Sequence, residues 1–242
     1  MGKKASASIA SASRLALDWL FPPRCAGCGD LGEVLCVRCQ AAVRLIEEPV
    51  CQRCGLPLGR RARCAACASH RYVFKASRSW GVYAGELRRA ILSLKHRNNA
   101  ALGAAFAMDL LQVFERQDWK VDLLIPIPLG QQRYRQRGYN QIDLLARPFG
   151  KLAGLQVADS VLIRRHETLP QFELNAAERW ANLHGSFAAD PAPLAGVNVL
   201  LVDDIMTTGA TLDSASQALS EAGAKEVYAM TLARTLAETG GP

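Results

Sequence analysis

Val199-Leu200-Leu201-Val202-Asp203-Asp204-Ile205-Met206-Thr207-Thr208-Gly209-Ala210-Thr211-Leu212 is the stretch that decides the fold. Val197–Asp203 is an apolar run of the kind buried on both faces of a parallel sheet. It ends in two carboxylates. A small-residue loop then leads into a helical pattern over Thr211–Glu221, which Gly223 closes. Backbone N–H groups at that helix start, together with Thr hydroxyls and the helix dipole, make an anion site suited to a phosphate. Gly209 lets the backbone approach closely. Two adjacent aspartates are poorly placed to hold the phosphate itself, but they suit donors a few ångströms away, such as the two hydroxyls of a ribose. The segment therefore predicts a ribose 5-phosphate site. Asp203 and Asp204 would accept from the hydroxyls, and Thr207, Thr208, Gly209, Ala210 and Thr211 would cradle the phosphate. In another order the same residues would make a helix cap, a metal pair or an ordinary strand-to-helix turn.

The flanking sequence alternates strand and helix patterns. Glu226–Ala233 reads as the strand after the Thr211–Glu221 helix, and Trp80–Tyr83 as a short aromatic edge strand. Glu86–His96 carries Leu87, Ala90, Ile91 and Leu94 at helical spacing, and Ala101–Phe114 repeats that period. Val121–Ile127 is an apolar strand closed by Pro126 and Pro128. Asn140–Ala146 is helical until Pro148 ends or kinks it, and Ser160–Ile163 is another short strand. Residues 164–192 have mixed charge and no period, so they are expected to be irregular or mobile. Such alternation predicts an α/β domain with a mostly parallel sheet flanked by helices.

With 242 residues, 50% hydrophobic and 21% charged, the chain has the material for a packed core and is neither disordered nor fibrous. No apolar run approaches the ~18 residues of a membrane span, so membrane insertion is not expected. Residues 1–100 hold 17 Lys and Arg against 6 Asp and Glu, whereas residues 101–242 hold 12 against 16. The basic surplus is wholly N-terminal, which suggests two modules with different partners.

All eight cysteines fall between Cys25 and Cys67, as four C-x-x-C pairs: Cys25/Cys28, Cys36/Cys39, Cys51/Cys54 and Cys64/Cys67. Each pair points two thiolates at one ion, and two pairs complete the four-sulfur shell that zinc prefers. Disulfides between such close neighbours would be strained. Arg14 and Asp18 interrupt any hydrophobic leader, and the expectation is two structural zinc ions in a reducing cytoplasm. Sequential sharing (25/28/36/39, then 51/54/64/67) and an interleaved cross-brace both remain open. The expected organisation is a disordered Ala/Ser-rich extension over residues 1–18, a double zinc-ribbon module over 19–72 and an α/β domain over 73–242.

Several motifs agree in order: Phe21-Pro22-Pro23-Arg24-Cys25, Leu94-Lys95, Ile125-Pro126-Ile127-Pro128, Arg133, and Arg137-Gly138-Tyr139-Asn140-Gln141. Thr168-x-x-Gln171, Glu178-Arg179-x-x-Asn182 and Gly185-x-Phe187 follow. Together they resemble the ComF family, in which a zinc ribbon precedes a type I phosphoribosyltransferase domain. The resemblance implies that the acids hold the ribose hydroxyls of phosphoribosyl pyrophosphate (PRPP) and that the loop binds its 5′-phosphate. It also implies that the PIPLGQQRYRQRGYNQ segment holds the pyrophosphate, through Arg133, Arg137, Gly138 and Lys95. An enzyme of this kind would use Mg²⁺ and transfer ribose 5-phosphate to an acceptor that nothing in the sequence identifies. Residues 164–183 would close over the site. The alternative is a non-catalytic PRPP sensor that associates with single-stranded DNA. Arg38, Arg44, Arg53, Arg60, Arg61, Arg63 and Arg71 of the basic N-terminal part would serve that role. The family is linked by name to DNA uptake, which allows competence or helicase-type protein partners.

Overall fold

Five strands pair in parallel into one sheet: β1 (Ala76–Val82), β2 (Leu123–Pro126), β3 (Gln156–Val157), β6 (Asn198–Met206) and β7 (Glu226–Arg234). Their order is β1-β7-β6-β2-β3, and β4 (Leu162–Arg164) with β5 (Phe187–Ala189) forms a separate antiparallel pair. The helices are α1 (Val37–Ala41), α2 (Ala65–Ser69), α3 (Gly85–Arg97), α4 (Ala100–Glu115), α5 (Gln131–Arg137), α6 (Gln141–Ala153) and α7 (Ala210–Glu221). This computed structural model describes residues 22–59, 64–165 and 185–236. The proposed extension over 1–18 lies outside the described residues, as do Arg60, Arg61, Arg63 and nearly all of the segment expected to close over the site.

The apolar run of β6 is buried on both faces, as its pattern requires. Leu200 and Val202 pack into one core with α3, α4 and α6, while Val199 and Leu201 pack into a second core with α7. The strand does not stop at Asp203. It pairs with β7 through Ile205 and Met206, so both aspartates lie on the strand rather than in the loop. Pro126 is tolerated in β2 for a similar geometric reason. Ile127 donates its N–H to Val202, and β3 pairs only with Leu123 and Leu124, so no neighbour needs an amide from residue 126.

β1 is an edge strand, as expected, but it begins at Ala76 and every residue in it is buried. Its polar composition hides it from hydropathy. Ser77 Oγ donates to the Cys54 carbonyl at 3.0 Å, Ser79 and Thr231 share a 2.7 Å hydrogen bond, and Arg78 donates to Gln52. The cysteine-rich segment covers the open edge of β1 with three backbone bonds: Ile46 N–H to Trp80, Val82 N–H to Arg44, and Ser77 N–H to Arg53. This covering removes the unpaired edge that would otherwise invite aggregation.

Pro148 neither ends nor sharply limits its helix, because α6 continues through it to Ala153. A proline at that position leaves the Leu144 carbonyl without its helical donor. Gly103 of α4 packs against that oxygen, and a Cβ on Gly103 would lie 2.3 Å from it. The two helices therefore meet backbone to backbone. Gly103→Ala is expected to force them apart and cost about 1–3 kcal/mol. An unchanged thermal unfolding midpoint in that variant would show that the helices do not touch there.

Candidate functional site

Crossovers leave β6 toward β7 and β2 toward β3, so the strand order reverses between β6 and β2. In open parallel sheets the crevice at such a reversal, beyond the strand carboxyl ends, is where ligands bind. A cavity of about 560 Å³ lies there. Lys95, Arg133, Arg137, Asp203, Asp204, Thr207, Gly209, Ala210 and Thr211 all line it, whereas Thr208 and Gly138 do not. Residues separated by more than a hundred positions are thus gathered into one concave site.

The acid pair is held from several sides. Lys95 Nζ lies 3.1 Å from Asp204 Oδ2, and Gln141 Nε2 donates to the same oxygen at 3.1 Å. The Asp204 amide donates to Asp203 Oδ1 at 2.8 Å. Burial and the neighbouring Asp204 charge push the Asp203 carboxyl up to about 7, although Lys95 and Arg164 pull it down. Carboxylate oxygens kept together in this way can accept hydrogen bonds from neighbouring hydroxyls.

The loop after β6 turns on Gly209, whose φ of 87° is left-handed backbone that only glycine adopts freely. α7 starts directly at Ala210, one residue earlier than its pattern suggested. Thr208 Oγ1 accepts from the Ala210 amide at 3.3 Å. The first turn of this twelve-residue helix, the positive end of its dipole, lines the cavity.

Residues 131–137 form a helix rather than an extended loop, and this sorts the three arginines. Arg133 and Arg137 are four apart, share one helix face and line the cavity, while Arg135 lies off that face. Burial and the nearby Arg133 push the Arg137 guanidinium down from its usual range, against the opposing pull of Asp204. Each following residue has its own task. Gly138 caps α5 in left-handed backbone and donates to the Tyr134 carbonyl at 2.7 Å. The Tyr139 hydroxyl donates to the Leu94 carbonyl at 3.0 Å and accepts from the Asn98 amide at 2.7 Å, which braces the end of α3 that carries Lys95. Asn140 caps α6 by accepting from the Ile142 amide at 3.2 Å, and it donates to the Ile127 carbonyl. Gln141 closes the series on Asp204.

Sequence reasoning missed Tyr83, Gln141 and Arg164 as lining residues. Gln141 was inside a quoted motif but had no assigned partner. Tyr83 follows β1 and Arg164 ends β4, neither with a local pattern that marks it for the cavity, and Arg164 lies over the Phe187 ring at 5.2 Å.

The cysteines gather sequentially: Cys25, Cys28, Cys36 and Cys39 form one tetrad, and Cys51, Cys54, Cys64 and Cys67 the other. A tetrahedral shell with ~2.3 Å Zn–S bonds needs sulfur separations of about 3.8 Å. Cys25–Cys36 and Cys28–Cys36 stand at 3.6 and 3.8 Å, and Cys51–Cys67 and Cys54–Cys64 at 3.6 and 3.5 Å. Both tetrads fit a structural zinc ion.

The fold and cavity define a phosphoribosyltransferase-like domain behind two cysteine tetrads. A double zinc ribbon domain model matches residues 16–68, and a phosphoribosyl transferase domain model matches residues 145–241. The DNA utilization protein YhgH of Salmonella typhi is 31% identical over 208 residues, covering 84% of this chain and 91% of that protein. Competence protein ComFC of Bacillus subtilis is 30% identical over 211 residues, covering 84% and 85% respectively. Competence protein F of Haemophilus influenzae is 30% identical over 221 residues, covering 82% and 96%. The chain belongs to the ComF family, with a double zinc ribbon followed by a phosphoribosyltransferase domain. Among the described residues no helix is long and apolar enough to cross a membrane.

Proposed function

We propose that the chain binds PRPP in the switch-point cavity and transfers its ribose 5-phosphate to an acceptor, releasing pyrophosphate. The observation that carries this reading is the convergence of three groups on one cavity: the acid pair, the first turn of α7, and the Arg133/Arg137 face. In it, Asp203 and Asp204 accept from the ribose hydroxyls, the 207–211 loop holds the 5′-phosphate, and the two guanidiniums take the pyrophosphate as charge-assisted donors. Lys95 bridges the two regions, since it already pairs with Asp204. Mg²⁺, a hard cation for which the carboxylates and phosphate oxygens are suitable ligands, would neutralise the leaving group. The protein's contribution is to hold C1 between leaving group and nucleophile and to stabilise the charge that develops as the C1–oxygen bond breaks.

Calorimetry with PRPP and Mg²⁺, followed by pyrophosphate release across a panel of nucleobases and amines, tests this. Binding with turnover on one acceptor is the expected result. Binding without turnover on any acceptor would leave a PRPP sensor. Arg133→Ala is expected to weaken PRPP by roughly 10- to 100-fold, from ~1.5–3 kcal/mol per charge-assisted bond. Its effect on ribose 5-phosphate, which lacks the pyrophosphate, should be small.

A second role, association with single-stranded DNA, is favoured by the basic N-terminal part and by the names of the relatives. Not every arginine there is available. Arg53 donates inward to the Tyr72 carbonyl at 2.5 Å, and Arg38 pairs with Asp30. Arg44 and Arg71 are exposed. Arg60, Arg61 and Arg63 complete the basic set. Four or five phosphate contacts would give a salt slope of about −3 at ~0.7 per contact. Anisotropy of the full chain with a labelled oligonucleotide should show that slope, and replacing Arg60, Arg61 and Arg63 by Ala should flatten it. No binding at low salt removes this role. We infer work in the cytoplasm alongside competence or helicase-type partners, a reading that the thiol tetrads and the names of the relatives support.

A further inference from the structure

The segment joining the second cysteine tetrad to β1 reaches the phosphate loop. Tyr72, only 4% exposed, donates its hydroxyl to the Thr208 carbonyl at 2.8 Å. Its ring backs Gly209, where a Cβ would meet Tyr72 Cε1 at 2.9 Å. The ring is stacked on Phe74 with centroids 4.6 Å apart and meets His70 edge-on at 4.9 Å. The same strip is tied to the first turn of α7, since His70 Nε2 lies 2.9 Å from Asp213 Oδ2 and the Val73 amide donates to Asp213 Oδ1 at 2.5 Å. On the other flank, the Arg234 guanidinium donates to the Cys54 carbonyl and lies 3.1 Å from the sulfur of Met206, the last residue before the loop.

A trans peptide is planar, and its carbonyl and amide point in opposite directions. The 208–209 peptide has its carbonyl held toward Tyr72. Its other end, the Gly209 amide, is therefore directed away from the ribbon, and Gly209 lines the cavity. Tyr72 thus sets the direction of a donor in the phosphate cradle without touching the ligand. The first tetrad has different neighbours. Arg89 Nε donates to the Gly27 carbonyl at 2.6 Å and Gln40 Nε2 to Asp109 at 2.8 Å, both on the α3 and α4 side of the sheet.

We propose that Tyr72 is a positioning residue for the phosphate loop, and that through it the second cysteine tetrad, but not the first, is coupled to the cavity's affinity for a phosphorylated sugar. The inference rests on the ribose 5-phosphate reading of the cavity. Coupling of this kind is reciprocal: ligand at the loop must also strengthen metal retention at the second tetrad.

Tyr72→Phe in the full chain keeps the ring and removes only the hydroxyl. Calorimetry should show ribose 5-phosphate binding weakened roughly five- to tenfold, since the half-buried Thr208 carbonyl loses its donor. Inorganic pyrophosphate, which would use Arg133 and Arg137, should bind as in the wild type, and two zinc ions per chain should remain. In a chelator competition, saturating ribose 5-phosphate should slow release of one of the two zinc ions from the wild type, and Tyr72→Phe should reduce that protection. Unchanged ribose 5-phosphate affinity in Tyr72→Phe, or an equal loss for pyrophosphate, would overturn the positioning role while leaving the cavity reading intact. A wild type that binds neither ligand overturns both.

Discussion

Cys54→Ser is expected to lose one of two zinc ions and most of the cooperative unfolding transition of the whole chain. Cys54 has no exposed surface and belongs to the same core as Phe74, Ile125, Leu201 and Leu219. Its carbonyl accepts from Ser77 of β1 and Arg234 of β7, so the knuckle is part of the sheet's support. Apparent zinc binding in a structural site is worth ~10–16 kcal/mol, comparable to or larger than the net stability of a typical domain. Opening that shell should therefore leave a protein that is largely unfolded or aggregated at room temperature. Cys28→Ser is the contrast. It opens the first tetrad, whose Cys28 is exposed, and should lose one zinc ion while the second core still melts cooperatively. Elemental analysis with circular-dichroism melts separates the two. Two zinc ions and an unchanged melt in Cys54→Ser would show that its thiolate holds no metal.

The double change Asp203→Asn, Asp204→Asn is expected to weaken PRPP binding by roughly 10²- to 10⁴-fold while the fold persists. Each charged acceptor facing a hydroxyl contributes ~1.5–3 kcal/mol, and the amide keeps the size while losing the charge. Asp203 adds a pH signature. Its carboxyl stands at about 7 in the folded protein, against ~3.9 in an unfolded chain. Between those values the folded state binds more protons than the unfolded one, so stability falls as pH rises from about 4 through about 7 and then levels. Ligand affinity runs the other way, because the charged acceptor is the stronger one, and it should rise through neutral pH. Asp203→Asn alone should thus melt higher than the wild type at pH ~8, match it near pH ~4, and bind PRPP more weakly. A variant that melts no higher at pH ~8 would mean the carboxyl is not raised.

Residue order along the chain was enough to mark the Asp203–Thr211 part of the candidate site. An apolar strand, two acids, a small loop and a helix lie within fourteen consecutive residues, so local backbone geometry brings them together without help from the rest of the molecule. The C-x-x-C pairs are equally local, and their count and spacing specify two metal shells. The same locality failed for β1, where polar side chains bonded to the ribbon and to β7 imitate a surface segment. Nor did it show that the helix runs on past Pro148 to Ala153, where Gly103 from a helix some forty residues earlier packs against the Leu144 carbonyl.

Tertiary structure alone decided the rest. Sequential tetrads were chosen over a cross-brace by where the folded segment places the sulfur atoms, which C-x-x-C spacing alone leaves open. The resemblance singled out Arg133 and Arg137, but the physical reason that leaves Arg135 aside is tertiary: residues 131–137 are a helix with one face against the switch point. Gln141 on Asp204 and Tyr72 on Thr208 are contacts across 63 and 136 positions. Periodicity and motif order report on neighbours within a few turns of chain. Such distant contacts arise from how the sheet packs, because burial forces each polar group to find whichever partner the fold places beside it.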